Sequence, residues 1–170
     1  EKKDWVSFLK GMDSFNEHLA AKGIAYARSM YNIQHTVKPE DGALNVTLEC
    51  IRPDVEIRYT VDGSKPTAAS PLYEQPLVVK DARTINAATF AGGEQMGKIL
   101  TLPVHWNKAT AKPLLGNKAN EAVLSNGIRG SLKQTDFEWC CWPRNDRFSF
   151  TVDLLQKEKM NTLTIGCITN

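Results

Sequence analysis

No apolar run in this 170-residue sequence approaches the ~18 residues that a membrane-spanning helix needs. Nor does any stretch combine a basic start, an apolar middle and a small-residue cleavage site. Charge of one sign is lacking as well: 21 Lys and Arg stand against 19 Asp and Glu, interspersed along most of the chain. Such balance leaves no electrostatic footprint for nucleic acid, so neither nucleic acid nor a membrane span is expected as a partner. The one basic lean, Lys108, Lys112, Lys118, Arg129 and Lys133 against Glu121, reads as a solvated face. Cysteines are few and form no C-x-x-C pair. Cys50, Cys140, Cys141 and Cys167 lie far in sequence from His18, His35 and His105, which argues against a metal site, and one disulfide is compatible with the count. Phosphate-cradling glycine loops and nucleophile-elbow motifs are absent too. The sequence therefore predicts a non-catalytic module with no metal and no cofactor.

What is present begins with a helix. From Asp4 to Lys22 the residues Trp5, Phe8, Leu9, Met12, Phe15 and Leu19 recur at steps of three and four, with Asp4 placed as N-cap and Gly23 just past the end. A stripe with three aromatics is too apolar to leave in water. Either it covers the next segment or it meets a larger body.

After about Ile33 the period changes to two. Leu44, Val46, Leu48 and Cys50 alternate with polar residues, as do Val55, Ile57, Tyr59 and Val61, and both runs read as half-buried strands. Asp62-Gly63 is a turn signal, and Pro66 and Pro71 keep the next stretch irregular. Further short strands are expected at Leu77 to Val79, Thr84 to Phe90 and Lys98 to Leu102, which together make a small antiparallel, immunoglobulin-like β-sandwich. Past a junction at Pro103 to Asn107, alternation returns only at Phe148, Phe150 and Val152 and at Leu163, Ile165 and Cys167. This late pattern predicts a chain truncated at both ends, whose residues 105–170 either pair with a second copy or form a reduced sheet against the sandwich. The carboxylates Glu49, Asp54, Glu56 and Asp62 read as exposed strand and turn positions. Trp106, Trp139 and Trp142 have two suitable roles, as core or seam residues or as platforms for sugar rings, and around the last two Asp136 and Arg144 offer hydrogen bonds to hydroxyls.

The run Arg58-Tyr59-Thr60-Val61-Asp62-Gly63-Ser64-Lys65-Pro66, with Ser70-Pro71-Leu72-Tyr73, Pro76-Leu77 and Thr84-Ile85-Asn86-Ala87-Ala88-Thr89-Phe90, resembles the chitobiase and β-hexosaminidase C-terminal domain, also called the fibronectin-III-associated domain. Its structural motif here is Tyr59, Asp62, Gly63, Pro66 and Tyr73. Trp5 to Leu9 with Gly23 to Tyr26 looks like the last helix of a family 20 glycoside hydrolase barrel. Leu124 to Gly130, Asp136 to Trp139 and Phe150 to Leu154 are similar to the opening half of a discoidin-type domain, although Asn126-Gly127 stands where Asp-Gly is usual. This is the order found in bacterial β-N-acetylhexosaminidases.

The resemblance implies three parts: the end of a catalytic barrel (1–31), the sandwich (32–104) and a partial discoidin-like segment (105–170). The overall class is mainly β with one N-terminal helix. It implies a periplasmic or secreted parent that removes terminal N-acetylhexosamine from glycans by substrate-assisted retention. The adjacent Asp-Glu pair of that family occurs nowhere in this sequence, so no catalytic residue is expected here. The chain would buttress the missing barrel. The alternative is a carbohydrate-binding module that tethers the enzyme to glycans through Trp139, Trp142, Asp136 and Arg144, and self-association is a further expectation.

Overall fold

The computed structural model describes residues 4–116, 121–133, 136–140 and 149–166, and among them the chain is mainly β with one long helix. Helix α1 (Trp5–Ala21) is followed by a 3₁₀ turn (Ser29–Tyr31) and by strands β1 (Gln34–Glu40), β2 (Ala43–Glu49), β3 (Glu56–Thr60), β4 (Leu77–Val79), β5 (Arg83–Ala91), β6 (Glu94–Gln95) and β7 (Leu100–Val104). Two antiparallel sheets form a sandwich. One has the order β1-β2-β4; in the other, β5 is central, with β3 on one edge and β6 and β7 on the opposite edge.

Alternation builds the core. Leu44, Val46 and Leu48 of β2 face Ile85 and Ala87 of β5 and Leu102 and Val104 of β7, with Val37 and Val79 completing the layer. Every second residue of β2 and of β7 enters the same apolar slab, as a half-buried strand requires, whereas β5, central in its sheet, is buried at every position from Ile85 to Phe90. β1 has only Val37 buried, and its register is fixed by the Asp41-Gly42 turn, where both residues have positive φ (49° and 73°) and Glu40 pairs with Ala43. That geometry is a two-residue hairpin, for which Asp-Gly is the favoured sequence.

At Asp62-Gly63 the outcome differs. The chain bends there, Asp62 Oδ1 accepting from Ser64 N at 3.0 Å, but it returns only at Pro71–Tyr73. Those residues pair along the outer edge of β3, with Tyr59 N donating to Pro71 O and Tyr73 N to Ile57 O. β4 reaches only as far as Val46 on β2, so the Leu48 N–H beyond it has no strand neighbour on that side. The Tyr73 hydroxyl accepts it at 3.0 Å, while the Tyr73 ring meets Tyr59 edge to face. Tyr73 thereby ties the two sheets at their seam.

β7 starts later and ends later than its sequence suggests. Gly97 is pinned before it, its N–H donating to the buried Thr89 hydroxyl at 3.1 Å, and that hydroxyl donates to Tyr31 O at 2.7 Å. Pro103 falls inside the strand, which it tolerates because β7 pairs only with β5 and its other edge needs no N–H.

The chain after β7 is seated on the sandwich: His105 N donates to Gly127 O, Ala111 N to Ser125 O, and Trp106 and Ile128 pack against the core. Strands β8 (Leu114–Gly116) and β9 (Phe150–Val152) form a small antiparallel sheet, with a 3₁₀ turn (Glu121–Leu124) between them in sequence. The strand expected at Leu163 to Cys167 is not formed over its described residues, 163–166. Leu163 and Ile165 are exposed there, and without a pairing edge an alternating sequence makes no strand. Cys167 and Phe148 lie outside the described residues.

Gly97 gives a direct check on this packing. A Cβ there would lie 2.3 Å from the Tyr31 carbonyl oxygen, a backbone atom with no room to yield. Gly97→Ala is expected to cost about 1 to 3 kcal/mol of overpacking strain in urea unfolding, and Tyr73→Phe, which strands the Leu48 N–H, about 1 to 3 kcal/mol.

Candidate functional site

Helix α1 is closed at both ends by its own residues. Asp4 Oδ1 accepts from Val6 N at 3.1 Å and Ser7 N at 3.2 Å, and Gly23 (φ 69°) lets Ile24 N reach Leu19 O at 2.9 Å. Its apolar stripe then divides. Leu9, Met12 and Leu19 are half-buried, and Asn16 is the one fully buried residue of the helix. Trp5, Phe8 and Phe15 remain 55%, 55% and 56% exposed, with Trp5 and Phe8 packed edge to face.

A polar clamp holds this helix. Arg52, in the loop between β2 and β3, is only 6% exposed. Its guanidinium donates to both Asp13 oxygens (2.7 and 2.9 Å) on α1 and to both Asp54 oxygens (2.8 and 2.6 Å) on its own loop. Beneath it, the ring centroid of Tyr31 lies 5.2 Å from the guanidinium carbon, a cation–π stack. Hydrogen bonds from Arg52 hold the Asp54 carboxyl below its usual range, and the two carboxylates push the arginine further toward its charged form. Nearby the Cys50 thiol faces Met30 O at 3.5 Å, and burial pushes its pKa up. Nothing in the sequence pattern marks Arg52 or Asp13: a buried arginine between strands has no periodic signature. The only available signal is its place before Pro53 in a short loop.

The aromatic segment expected to bind sugars is committed elsewhere. Trp139 donates its indole N–H to Ser131 O at 2.8 Å and lies against Gly130, where a Cβ would come within 2.4 Å of the ring. Asp136 accepts from Ser131 N at 2.7 Å and Glu138 N at 3.0 Å, and these bonds, led by Ser131, hold its carboxyl below the usual range. Both residues thus fold their own loop. Trp142, Arg144 and Cys141 lie outside the described residues. Glu138 carries a contact that sequence reasoning missed, its oxygens meeting His35 Nε2 of β1 at 3.2 Å and the buried Asn126 amide at 2.5 Å. Asn126 Oδ1 in turn accepts from Ile128 N at 2.9 Å, so Asn126 serves as a joint of the loop.

Among the structural-motif residues, Tyr59 and Tyr73 meet at the sheet seam, Asp62 and Gly63 form the bend, and Pro66 is buried beside it. Among the described residues, no cluster of three or more His, Cys, Asp or Glu could hold a metal ion, and no helix is long and apolar enough to cross a membrane.

Two antiparallel sheets around one apolar slab define a β-sandwich module. Within it, residues 39–101 match the family model described as the chitobiase/beta-hexosaminidase C-terminal domain, a likeness confined to the sandwich. The matched span runs from the end of β1 into β7 and contains the Asp62-Gly63 bend, the Tyr59–Tyr73 seam and Arg52. A comparison with curated proteins finds no match.

The clamp is asymmetric, because the cation is buried whereas the Asp13 and Asp54 side chains are 36% and 56% exposed. Removing both carboxylates strands a buried charge, at about 3 to 5 kcal/mol; removing the arginine leaves two carboxylates that water can solvate. Denaturant unfolding should therefore show Asp13→Ala/Asp54→Ala to be more damaging than Arg52→Met. The pH dependence follows from Asp54. Its folded-state pKa lies below 3.8, so its stabilisation is fully present above that value and is lost as the pH falls through the folded-state pKa. Acid titration of stability should show this step in the wild type and not in Arg52→Met.

Proposed function

We propose that this chain is a non-catalytic accessory region of a β-N-acetylhexosaminidase, and that it buttresses the enzyme's catalytic barrel through helix α1. One observation carries the proposal: a helix fixed to a hexosaminidase-associated sandwich by a polar clamp turns Trp5, Phe8 and Phe15 to solvent. Exposed apolar surface of this kind marks an interaction site, and a helix held by charge rather than by its rings keeps those rings available. In this reading the α1 segment belongs to the end of the barrel, the sandwich supports it, and the segment after β7 is a discoidin-like addition. The parent enzyme acts on terminal N-acetylhexosamine of glycans in the periplasm or outside the cell. Tethering to glycans is the weaker reading, because Trp139 and Asp136 are engaged within their own loop.

Two measurements test this. Residues 1–170 alone should show no turnover of a chromogenic N-acetyl-β-glucosaminide, and hydrolysis above background overturns the proposal. Phe8→Ser with Phe15→Ser should change the stability of the isolated chain by no more than about 0.5 kcal/mol. In the chain joined to its barrel, the same pair should lower the melting temperature and the specific activity together. An equal effect in both settings would mean that the rings serve the sandwich and not a barrel.

A further inference from the structure

On the side of the sandwich where the chain leaves β7, a cleft of about 210 Å³ opens between the β1–β2 turn and the segment that follows β9. It brings together Trp106, Asn107, Lys108, Thr110, Lys112 and Glu158, residues about fifty positions apart at the extremes. Trp106 packs against the sandwich core, so its indole is a fixed wall and not a mobile surface ring. Lys108 Nζ donates to Glu158 Oε2 at 2.6 Å and to Lys159 O at 2.8 Å, which fixes the opposite rim. Asn107 Oδ1 accepts from Ala109 N at 2.8 Å, and Thr110 Oγ1 accepts from Asn107 N at 3.0 Å, so the floor is a closed turn.

Charge decides what such a cleft accepts. Two ammonium groups and one carboxylate line it, and Lys108 is matched by Glu158. Hydrogen bonds from Lys108 and then Gln156 hold the Glu158 carboxyl below the usual range; Lys112 lines the same cleft, and among the described residues it has no ion-pair partner of its own. The cleft therefore combines a rigid apolar wall, hydrogen-bonding groups and one surplus positive charge. A small inorganic anion would make no use of the indole, and a neutral sugar would make no use of the surplus charge.

We propose that this cleft binds a pyranose ring bearing a carboxylate, the apolar C–H face of the ring against Trp106 and the carboxylate on Lys112. The Asn107 amide then meets the ring hydroxyls, while Glu158, its oxygens taken by Lys108 at 2.6 Å and Gln156 at 2.5 Å, holds the rim in place. This site is separate from the α1 surface and does not depend on the buttress role.

Titration calorimetry of the whole chain with digalacturonic acid and, separately, with di-N-acetylchitobiose tests it. The acidic disaccharide is expected to bind saturably and more tightly than the neutral one. Its affinity should fall several-fold between ~0.05 and ~0.5 M salt, as an exposed charge contact does. Lys112→Glu, at a half-buried rim position that leaves the core intact, should weaken acidic-sugar binding about tenfold or more by placing like charges together. Trp106→Leu should weaken it too, with thermal unfolding confirming the fold. Absence of saturable binding by the acidic sugar, equal affinity for the neutral one, or an unchanged affinity in Lys112→Glu each overturns the proposal.

Discussion

The burial of one guanidinium sets the relation between the helix and the sandwich. Taking Arg52 out of water is unfavourable unless all its donors are used and its charge is matched. Asp13 supplies one fork from the helix, Asp54 supplies a second from the loop, and Tyr31 covers the face beneath. Three segments distant in sequence must therefore converge before the cation can be buried. The same requirement orients α1, because the turn that carries Asp13 has to face the sandwich. With Asp13 and Asn16 inward, Phe8 and Phe15 are rotated toward solvent, and the exposure of the rings follows from the placement of the charge.

The same rule operates at the other joints. The slab between the sheets is apolar from Val37 to Val104, whereas the places where irregular chain meets it are polar and paired. Thr89 binds the 3₁₀ turn at Tyr31 and the entry to β7 at Gly97 through one hydroxyl. Tyr73 takes over where β4 ends, and Glu138 links β1 to the loop around Asn126. Each joint satisfies a backbone or side-chain group that would otherwise be buried without a partner, at a net cost of about 1 to 3 kcal/mol per group. Apolar burial supplies the driving force of this fold, and these polar contacts select the arrangement in which the segments are joined.

That division explains what could be read from the residues alone. β2 and β3 were legible because their alternation is imposed by the slab, β5 because turn residues bound it at Asp81 and Gly92-Gly93, and α1 because its caps and its period agree. β1 was not, since only Val37 is inward; the Asp41-Gly42 turn was its one local signal. Leu163 to Cys167 had the period without a neighbouring edge, and period alone does not make a strand. The Asp62-Gly63 bend shows the converse, a strong turn dipeptide that opens a loop of about ten residues because two prolines follow it. Arg52, Asp13, Thr89 and Glu138 were invisible for a common reason. Their roles depend on partners far away in sequence, and no periodicity records a partner.

Aromatic residues make the distinction sharpest. In the sequence, Trp139 stands in the densest cluster of rings and charges, and it is the indole N–H of that residue which closes its own loop. Phe8 and Phe15 stand in an ordinary helical stripe, and they are the rings left in water. An apolar ring stabilises the unit that carries it in proportion to the area it removes from solvent. By that measure more than half of each of these rings contributes nothing to the folding of the chain described here. Meanwhile a charged clamp, whose net contribution is small once desolvation is counted, supplies the orientation. The stability of the sandwich gives no reason for two phenylalanines on that flank, and this is the ground on which the proposed buttress role assigns them to a surface outside the sandwich.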